Sequence, residues 1–185
     1  MPTAIPDIPE HIETDRLVIR PPRVTDVPLI VEAVHESLKD LKPWMVWATD
    51  TYSAEGCEEN VREAIAEFVT RKELRYHFHD RQTGAFIAGS GFHALDWAVP
   101  KMEIGYWCRS SKSGQGYVSE GVTALKNLAL KQFGAVRLQL LCDAQNKKSI
   151  AVALRCGFTL EGILKNEARA VNGDLRDTHV YAVTN

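Results

Sequence analysis

Residues 102–118, MEIGYWCRSSKSGQGYV, run an apolar, strand-like segment straight into a short loop holding Lys112, Ser113, Gly114, Gln115 and Gly116. A helical pattern begins at once behind that loop. The first N–H groups of a helix have no intrahelical partner, and the helix dipole places roughly half a positive charge at the same end. Glycines allow close backbone approach and positive φ. The combination is a cradle for a pyrophosphate. It is not a Walker loop, because no Gly-Lys-Ser/Thr closes it. It is not a complete G-x-G-x-x-G either, because the residue three past Gly116 is Ser119. Glycine also serves many βα turns for geometry alone, so the loop by itself leaves both readings open.

A second group of chemically competent residues lies one strand downstream, in Cys142-Asp143-Ala144-Gln145-Asn146-Lys147-Lys148-Ser149. Taken alone, Asn146 reads as a helix N-cap and Ser149 as a first-turn residue. A hydroxyl at a helix start can also donate a proton to a developing anion, aided by the dipole. His93 is a candidate proton acceptor, since an imidazole has an unperturbed pKa near 6.5. Cys57, Cys108, Cys142 and Cys156 form no CxxC pair and show no metal-ligand spacing, so no metal site is expected. All four read as free thiols of a reducing cytoplasm, and the apolar neighbours of Cys108, Cys142 and Cys156, with no local base, point to inert thiols at those three.

These residues need a scaffold. His11–Arg20 reads as a first strand stopped by Pro21-Pro22, after proline-rich residues 1–10 that are expected to be loosely held. Thr25 or Asp26 can cap a helix carrying Val27, Ile30, Val31 and Val34 on one face. The 43–47 segment, PWMVW, is a loop or short turn. Ser53 opens a second helix with Val61, Ala64, Ile65, Phe68 and Val69 as its buried stripe. Strands follow over 74–80 and 85–93, joined at Gln82-Thr83-Gly84, and over 101–108. Val118, Val122, Leu125, Ala129 and Phe133 mark one face of a long helix from about 116 to 133. A strand over 137–142, a helix over 147–155 closed by Gly157, and strands over 158–164 and 176–183 around the Asn172-Gly173 turn complete the order. The expected fold class is α/β (α+β): one mixed central sheet with helices on both faces, in a single domain over 1–185.

Composition narrows the function. The chain has 185 residues, 45% hydrophobic and 25% charged, with a formal net charge of −2. No basic stripe argues for nucleic acid, and neither a leader pattern nor a membrane-length apolar run is present. A cytoplasmic enzyme-sized domain is the expectation.

Five ordered motifs carry a resemblance: Glu13-Thr14-Asp15-Arg16-Leu17-Val18-Ile19-Arg20, Glu103-Ile104-Gly105-Tyr106-Trp107, Gly114-Gln115-Gly116-Tyr117, Asn146-x-x-Ser149 and Gly157-Phe158. Spread over nearly the whole chain, they make it resemble the GNAT superfamily, in its branch of ribosomal-protein-serine and related N-terminal acetyltransferases. One departure is Ser111, where the family loop often carries Gln or Arg. The resemblance implies acetyl-CoA as co-substrate and direct attack by a primary amine on the thioester. It implies that the 102–108 strand splays from the 137–142 strand to receive the pantetheine arm. It implies cofactor contacts from Trp107, Cys108, Arg109, Ser113, Gly114, Gln115, Gly116, Tyr117, Val118 and Asn146. Ser149 would protonate the leaving thiolate, and Glu103 would accept the amine's proton. Trp44 and Trp47 would close over the acceptor beside His93 and Glu167. Some relatives use a glutamate a few residues beyond Leu160-Glu161-Gly162; that place is Ala168 here, with Glu167 adjacent. The acceptor is a protein N-terminus or a small amine, such as an antibiotic, an amino-acid-like toxin or a polyamine. A homodimer is a further implication. A non-catalytic acyl-CoA-binding module is the alternative from another class.

Overall fold

The structure, a computed structural model, describes residues 6–185. Eight strands form one sheet in the order β1-β2-β3-β4-β5-β6-β8-β7. They are β1 (Ile12–Glu13), β2 (Leu17–Arg20), β3 (Leu74–Asp80), β4 (Phe86–Asp96), β5 (Lys101–Cys108), β6 (Arg137–Asp143), β7 (Thr159–Arg169) and β8 (Leu175–Thr184). The helices are α1 (Val27–Leu41), α2 (Ala54–Thr70), α3 (Tyr117–Asn127) and α4 (Lys147–Arg155). All neighbours are antiparallel except β5 and β6, so the sheet is mixed, as expected. One apolar cluster joins the sheet to α3 and α4; a second joins α1 and α2 to Phe86 and Trp107 on the opposite face.

Several local expectations need correction. The 11–20 strand is a tight hairpin: Ile12 pairs with Ile19, because Thr14 N–H bonds to the Leu17 carbonyl and folds the chain back. Residues 1–5 of the expected loose extension lie outside the described residues. Residues 6–10 are held: Ile8 is buried and Pro9 O accepts from Tyr76 Oη at 2.8 Å. Val69 is 70% exposed rather than part of the buried stripe. The long helix breaks from α into a π-helical turn over Leu128–Gln132. Ser53 caps α2 as expected, accepting from Gly56 N–H. The close seat of α3 on the sheet depends on Gly121, where an added Cβ would lie 2.2 Å from the Phe78 ring.

Asp26 stands at the N-cap of α1 but makes no side-chain cap bond. Its carboxylate takes a bidentate pair from Arg20 at 2.7 and 2.8 Å, plus the Arg23 N–H. Burial opposes its ionisation, and the Arg20 bonds outweigh that, holding the carboxyl far below the usual carboxylate range. Buried beside it stand His77 Nδ1 at 3.9 Å and His79 Nε2 at 4.0 Å. Among the described residues this trio is the one metal-like cluster. Three ligands about 2.1 Å from one ion, however, can be no more than about 3.6 Å apart when all three are equally spaced. Both carboxylate oxygens are also committed to Arg20. The group ties α1 to β2 and β3.

Burial pushes both imidazoles down, His79 to about 4. The unfolded chain therefore binds protons below about pH 6.5 that the folded chain refuses, so their contribution is present above that pH and lost as pH falls. Asp26 stays ionised throughout this range and adds no slope. Stability measured by urea denaturation is expected to drop by about 3 kcal/mol between pH 6.5 and 4 from His79 alone. His79→Leu should flatten that part of the profile.

Candidate active site

β5 and β6 pair only through Lys101, Met102 and Glu103 with Arg137, Leu138 and Gln139. Beyond that point the strands part. β5 stays hydrogen-bonded to β4 as far as Cys108, and β6 to β8 as far as Asp143, so each keeps one edge and presents the other to the gap. A cleft of about 960 Å³ fills the opening and continues along the start of α3.

Side chains of β5 alternate across this opening. Ile104, Tyr106 and Cys108 face α3 and α4, whereas Trp107 packs on the α1–α2 side, the side that parity assigns to Glu103 and Gly105. On the α4 side, Asn146 caps the helix by accepting from Ser149 N–H at 3.1 Å. Tyr106 Oη meets the Ser149 hydroxyl at 3.0 Å and donates to the Ser149 carbonyl at 3.1 Å. Burial pushes the Tyr106 hydroxyl well above its ordinary pKa, so it remains a proton carrier at all working pH. On the other side, Glu103 accepts from Gln139 Nε2 and bonds His93 Nε2, both at 2.9 Å. Burial would raise this carboxyl; the two bonds outweigh it and hold it below the usual value, ionised.

The turn into α3 has the form that anion binding needs. Gly116 is the N-cap in the left-handed region at φ +84°, with no side-chain cap bond. Among the described residues, no protein group accepts from the N–H of Gly114, Gln115, Gly116, Tyr117 or Val118. Arg16 braces the turn from outside, donating to the Gln115 carbonyl, pairing with Glu120 and stacking over Tyr117. The N–H face is left open, with Lys112, Lys148 and Arg155 lining the same cleft.

Most residues singled out in the sequence meet here: Ser149, Asn146, Glu103, Trp107, Cys108, Ser113, Gly114, Gly116, Tyr117 and Val118 line the cleft, as do Trp44, Trp47 and Glu167. Trp47 packs edge-on against Trp107, with ring centroids 5.6 Å apart. Glu167 accepts from Thr178 at 2.8 Å. Three do not line it. Arg109 is committed to Glu32 and Glu36 of α1, and its N–H to the Ile87 carbonyl. Gln115 folds its side chain back onto the Ser111 carbonyl. His93 lines an adjoining cavity of about 610 Å³ on the α2 side. Sequence reasoning passed over Tyr106 and Gln139. The one signal for Gln139 is its polarity within the apolar run Arg137–Cys142; Tyr106 reads there as an ordinary strand aromatic.

A strand pair opened beside a helix start with unpartnered amides, in a mixed sheet of this order, is the layout of a cofactor-dependent group-transfer enzyme. The acetyltransferase (GNAT) domain family matches residues 16–159, and the chain belongs to that family. It is thus an acyltransferase whose donor is acetyl-CoA. The ribosomal-protein-serine acetyltransferase of Escherichia coli (strain K12) is 28% identical over 154 residues, covering 82% of this chain and 86% of its own. The uncharacterized N-acetyltransferase YoaA of Bacillus subtilis (strain 168) is 27% identical over 179 residues, covering 93% and 95%. Among solved structures, the ribosomal alpha-N-protein acetyltransferase RimL in complex with coenzyme A matches with a TM-score of 0.87 at 27% identity, covering 95% of this chain and 98% of that one. The microcin self immunity acetyltransferase MccE, in complex with acetyl-CoA and AMP, shares the fold with a TM-score of 0.88 at 24% identity, covering 96% and 98%.

A side chain at Gly116 must adopt the left-handed conformation, at a cost of about 1–2 kcal/mol. Gly116→Val is expected to weaken coenzyme A binding about tenfold or more in calorimetric titration.

Proposed function

We propose that this protein moves the acetyl group of acetyl-CoA to a primary amine by direct attack, and that the acceptor is the N-terminal α-amine of a protein. The observation that carries this reading is the two-sided opening between β5 and β6. A fixed, ionised carboxylate (Glu103) stands on the face toward α1 and α2, and a hydroxyl pair (Ser149 and Tyr106) stands on the face toward α4. Free edges of β5 and β6 can hold the pantetheine arm as an added strand, and the Gly114–Val118 amides its diphosphate.

The residues then divide the proton traffic. Glu103 takes a proton from the incoming ammonium, which leaves a neutral nucleophile. Ser149 donates to the departing sulfur, and the Tyr106 hydroxyl holds the Ser149 side chain in place through the 3.0 Å contact. Trp44 and Trp47 wall the acceptor end. Asn146 acts chiefly by fixing the start of α4, so that the helix dipole supports negative charge at Ser149.

The choice of acceptor follows from energy. An α-amine of pKa about 7.7–8.0 is deprotonated at pH 7 for about 1 kcal/mol, whereas lysine at about 10.4 needs nearly 5. A carboxylate held below its ordinary pKa is a weak base, which suits the first. Relatives named for ribosomal-protein acetylation support the same reading at 27–28% identity. No helix among the described residues is long and apolar enough to cross a membrane, and all four cysteines are free. Both facts support action in the cytoplasm. The family match across most of the chain supports reading it as one acetyltransferase domain.

Free-thiol release from acetyl-CoA, measured with peptides of differing N-terminal residue alongside lysine and small amines, tests the assignment. Release with α-amine peptides alone is expected. Release only with small amines moves the acceptor to that class, and binding without release with any acceptor leaves a cofactor-binding module. Ser149→Ala is expected to lower turnover 10- to 1000-fold, with coenzyme A affinity little changed.

A further inference from the structure

The two strands part at the Glu103–Gln139 bond, and an ion pair joins their far ends again. Asp40 lies in the last turn of α1 and Lys148 in the first turn of α4, two helices on opposite faces of the sheet. Their side chains meet at 3.0 Å between Oδ1 and Nζ, and both line the cleft. Ser110, just past the end of β5, donates its hydroxyl to the other Asp40 oxygen at 2.6 Å. Lys148 stands just past the end of β6. The pair therefore crosses the wide end of the gap, from the tip of one strand to the tip of the other. Among the described residues, Lys148 is the one cleft cation whose salt bridge runs from one face of the sheet to the other.

We propose that this pair is a strap across the cofactor's path, and that acetyl-CoA opens it by drawing Lys148 from Asp40 onto one of its phosphate groups. The proposal rests on acetyl-CoA as the donor and is independent of the acceptor. An arm laid between the strands, with its diphosphate at Gly114–Val118, has to leave the gap at this end. Lys148 carries a compact charge on a flexible four-carbon stem and is 73% exposed, so it is free to swing. An exposed ion pair contributes little, and a phosphate offers a cation more charge and more acceptor oxygens than a carboxylate.

The exchange strands no charge. Asp40 is half-exposed and keeps the Ser110 hydroxyl, the first of the bonds that hold its carboxyl below the usual range; Lys148 is the second. Arg155, by contrast, is already bonded to the Ser119 hydroxyl at 2.9 Å. No covalent bond changes, and Lys148 returns to Asp40 once coenzyme A has left. Because each binding event has to break the pair, the cofactor is held less tightly than its contacts alone allow. Release of the product coenzyme A is correspondingly easier, a step that limits turnover in many enzymes.

Calorimetric titration with coenzyme A, at a salt concentration that screens distant charges, tests the exchange. Lys148→Met is expected to weaken binding about tenfold, whereas Lys148→Arg, which keeps the charge, should stay near the unmodified protein. Asp40→Asn still accepts from Ser110 but frees Lys148, and is expected to tighten binding about two- to fivefold. Asp40→Ser, which also removes the charge, should repeat the effect. In the Lys148→Met background most of that gain should vanish, because no pair is left to break. An equal gain in both backgrounds means plain repulsion between Asp40 and the phosphates, and overturns the strap. Unchanged affinity in Lys148→Met, or no tightening in either Asp40 variant, overturns it as well. Dephospho-coenzyme A then locates the contact. A Lys148→Met penalty that persists places Lys148 on the diphosphate, one that disappears places it on the ribose phosphate, and either supports the exchange. No binding of coenzyme A by the unmodified protein overturns the donor assignment and the strap with it.

Discussion

The parting of β5 from β6 after three residue pairs is the constraint on which the rest of the molecule turns. A parallel pair inside a sheet ordinarily continues until one strand ends. Here both strands continue, each hydrogen-bonded to its antiparallel neighbour on the far side, and the space between them stays open. The Glu103–Gln139 side-chain bond sits at the last paired residues and marks the vertex. Above it, the Tyr106–Ser149 contact ties β5 to the first turn of α4. α4 thereby bridges one side of the opening without closing it. Backbone groups that lack a partner inside a fold are costly, so an opening of this kind is best understood as a site whose missing strand is a ligand.

Under the proposed assignment, that geometry divides the chemistry between the two faces of the sheet. Strand alternation on β5 sends Glu103 to one side and Tyr106 to the other with no special loop. A reaction that removes a proton from an incoming amine and returns one to a departing thiolate needs that separation. Helix starts supply the remaining electrostatics: α3 offers bare amides and α4 orients its dipole on Ser149. The apolar clusters on each face hold these elements rigid, which is the preorganisation that electrostatic stabilisation requires.

Much of this was legible in the chain. The bounds of β3, β5 and α4 followed from apolar alternation and glycine punctuation, and the Ser53 cap and the Gly116 turn from local chemistry. Elements whose form depends on distant partners were not. The 11–20 segment reads as one strand because Pro21-Pro22 bounds it, yet the chain reverses within its polar run Glu13-Thr14-Asp15-Arg16. Asp26 has the right type and place for a cap, but Arg20 and the buried histidines claim its carboxylate. Val69 fits the helical stripe by spacing, yet Phe68 beside it takes the buried place against Tyr76 and leaves Val69 exposed. At the site, the loop glycines and Ser149 were visible because local spacing carries them. Arg109 was misplaced because its partners, Glu32 and Glu36, lie more than seventy residues away. Tyr106 and Gln139 went unnoticed for the same reason, since their roles exist only once β5, β6 and α4 are side by side. The gap itself came from resemblance, not from residue pattern, because strand register is a property of pairs.

Amide hydrogen exchange with and without acetyl-CoA measures the central claim most directly. The account predicts new protection confined to the Gly114–Val118 turn and the facing edges of Ile104–Cys108 and Leu140–Asp143, with β2 and β3 unchanged. Binding that leaves those amides exchanging as before would contradict it.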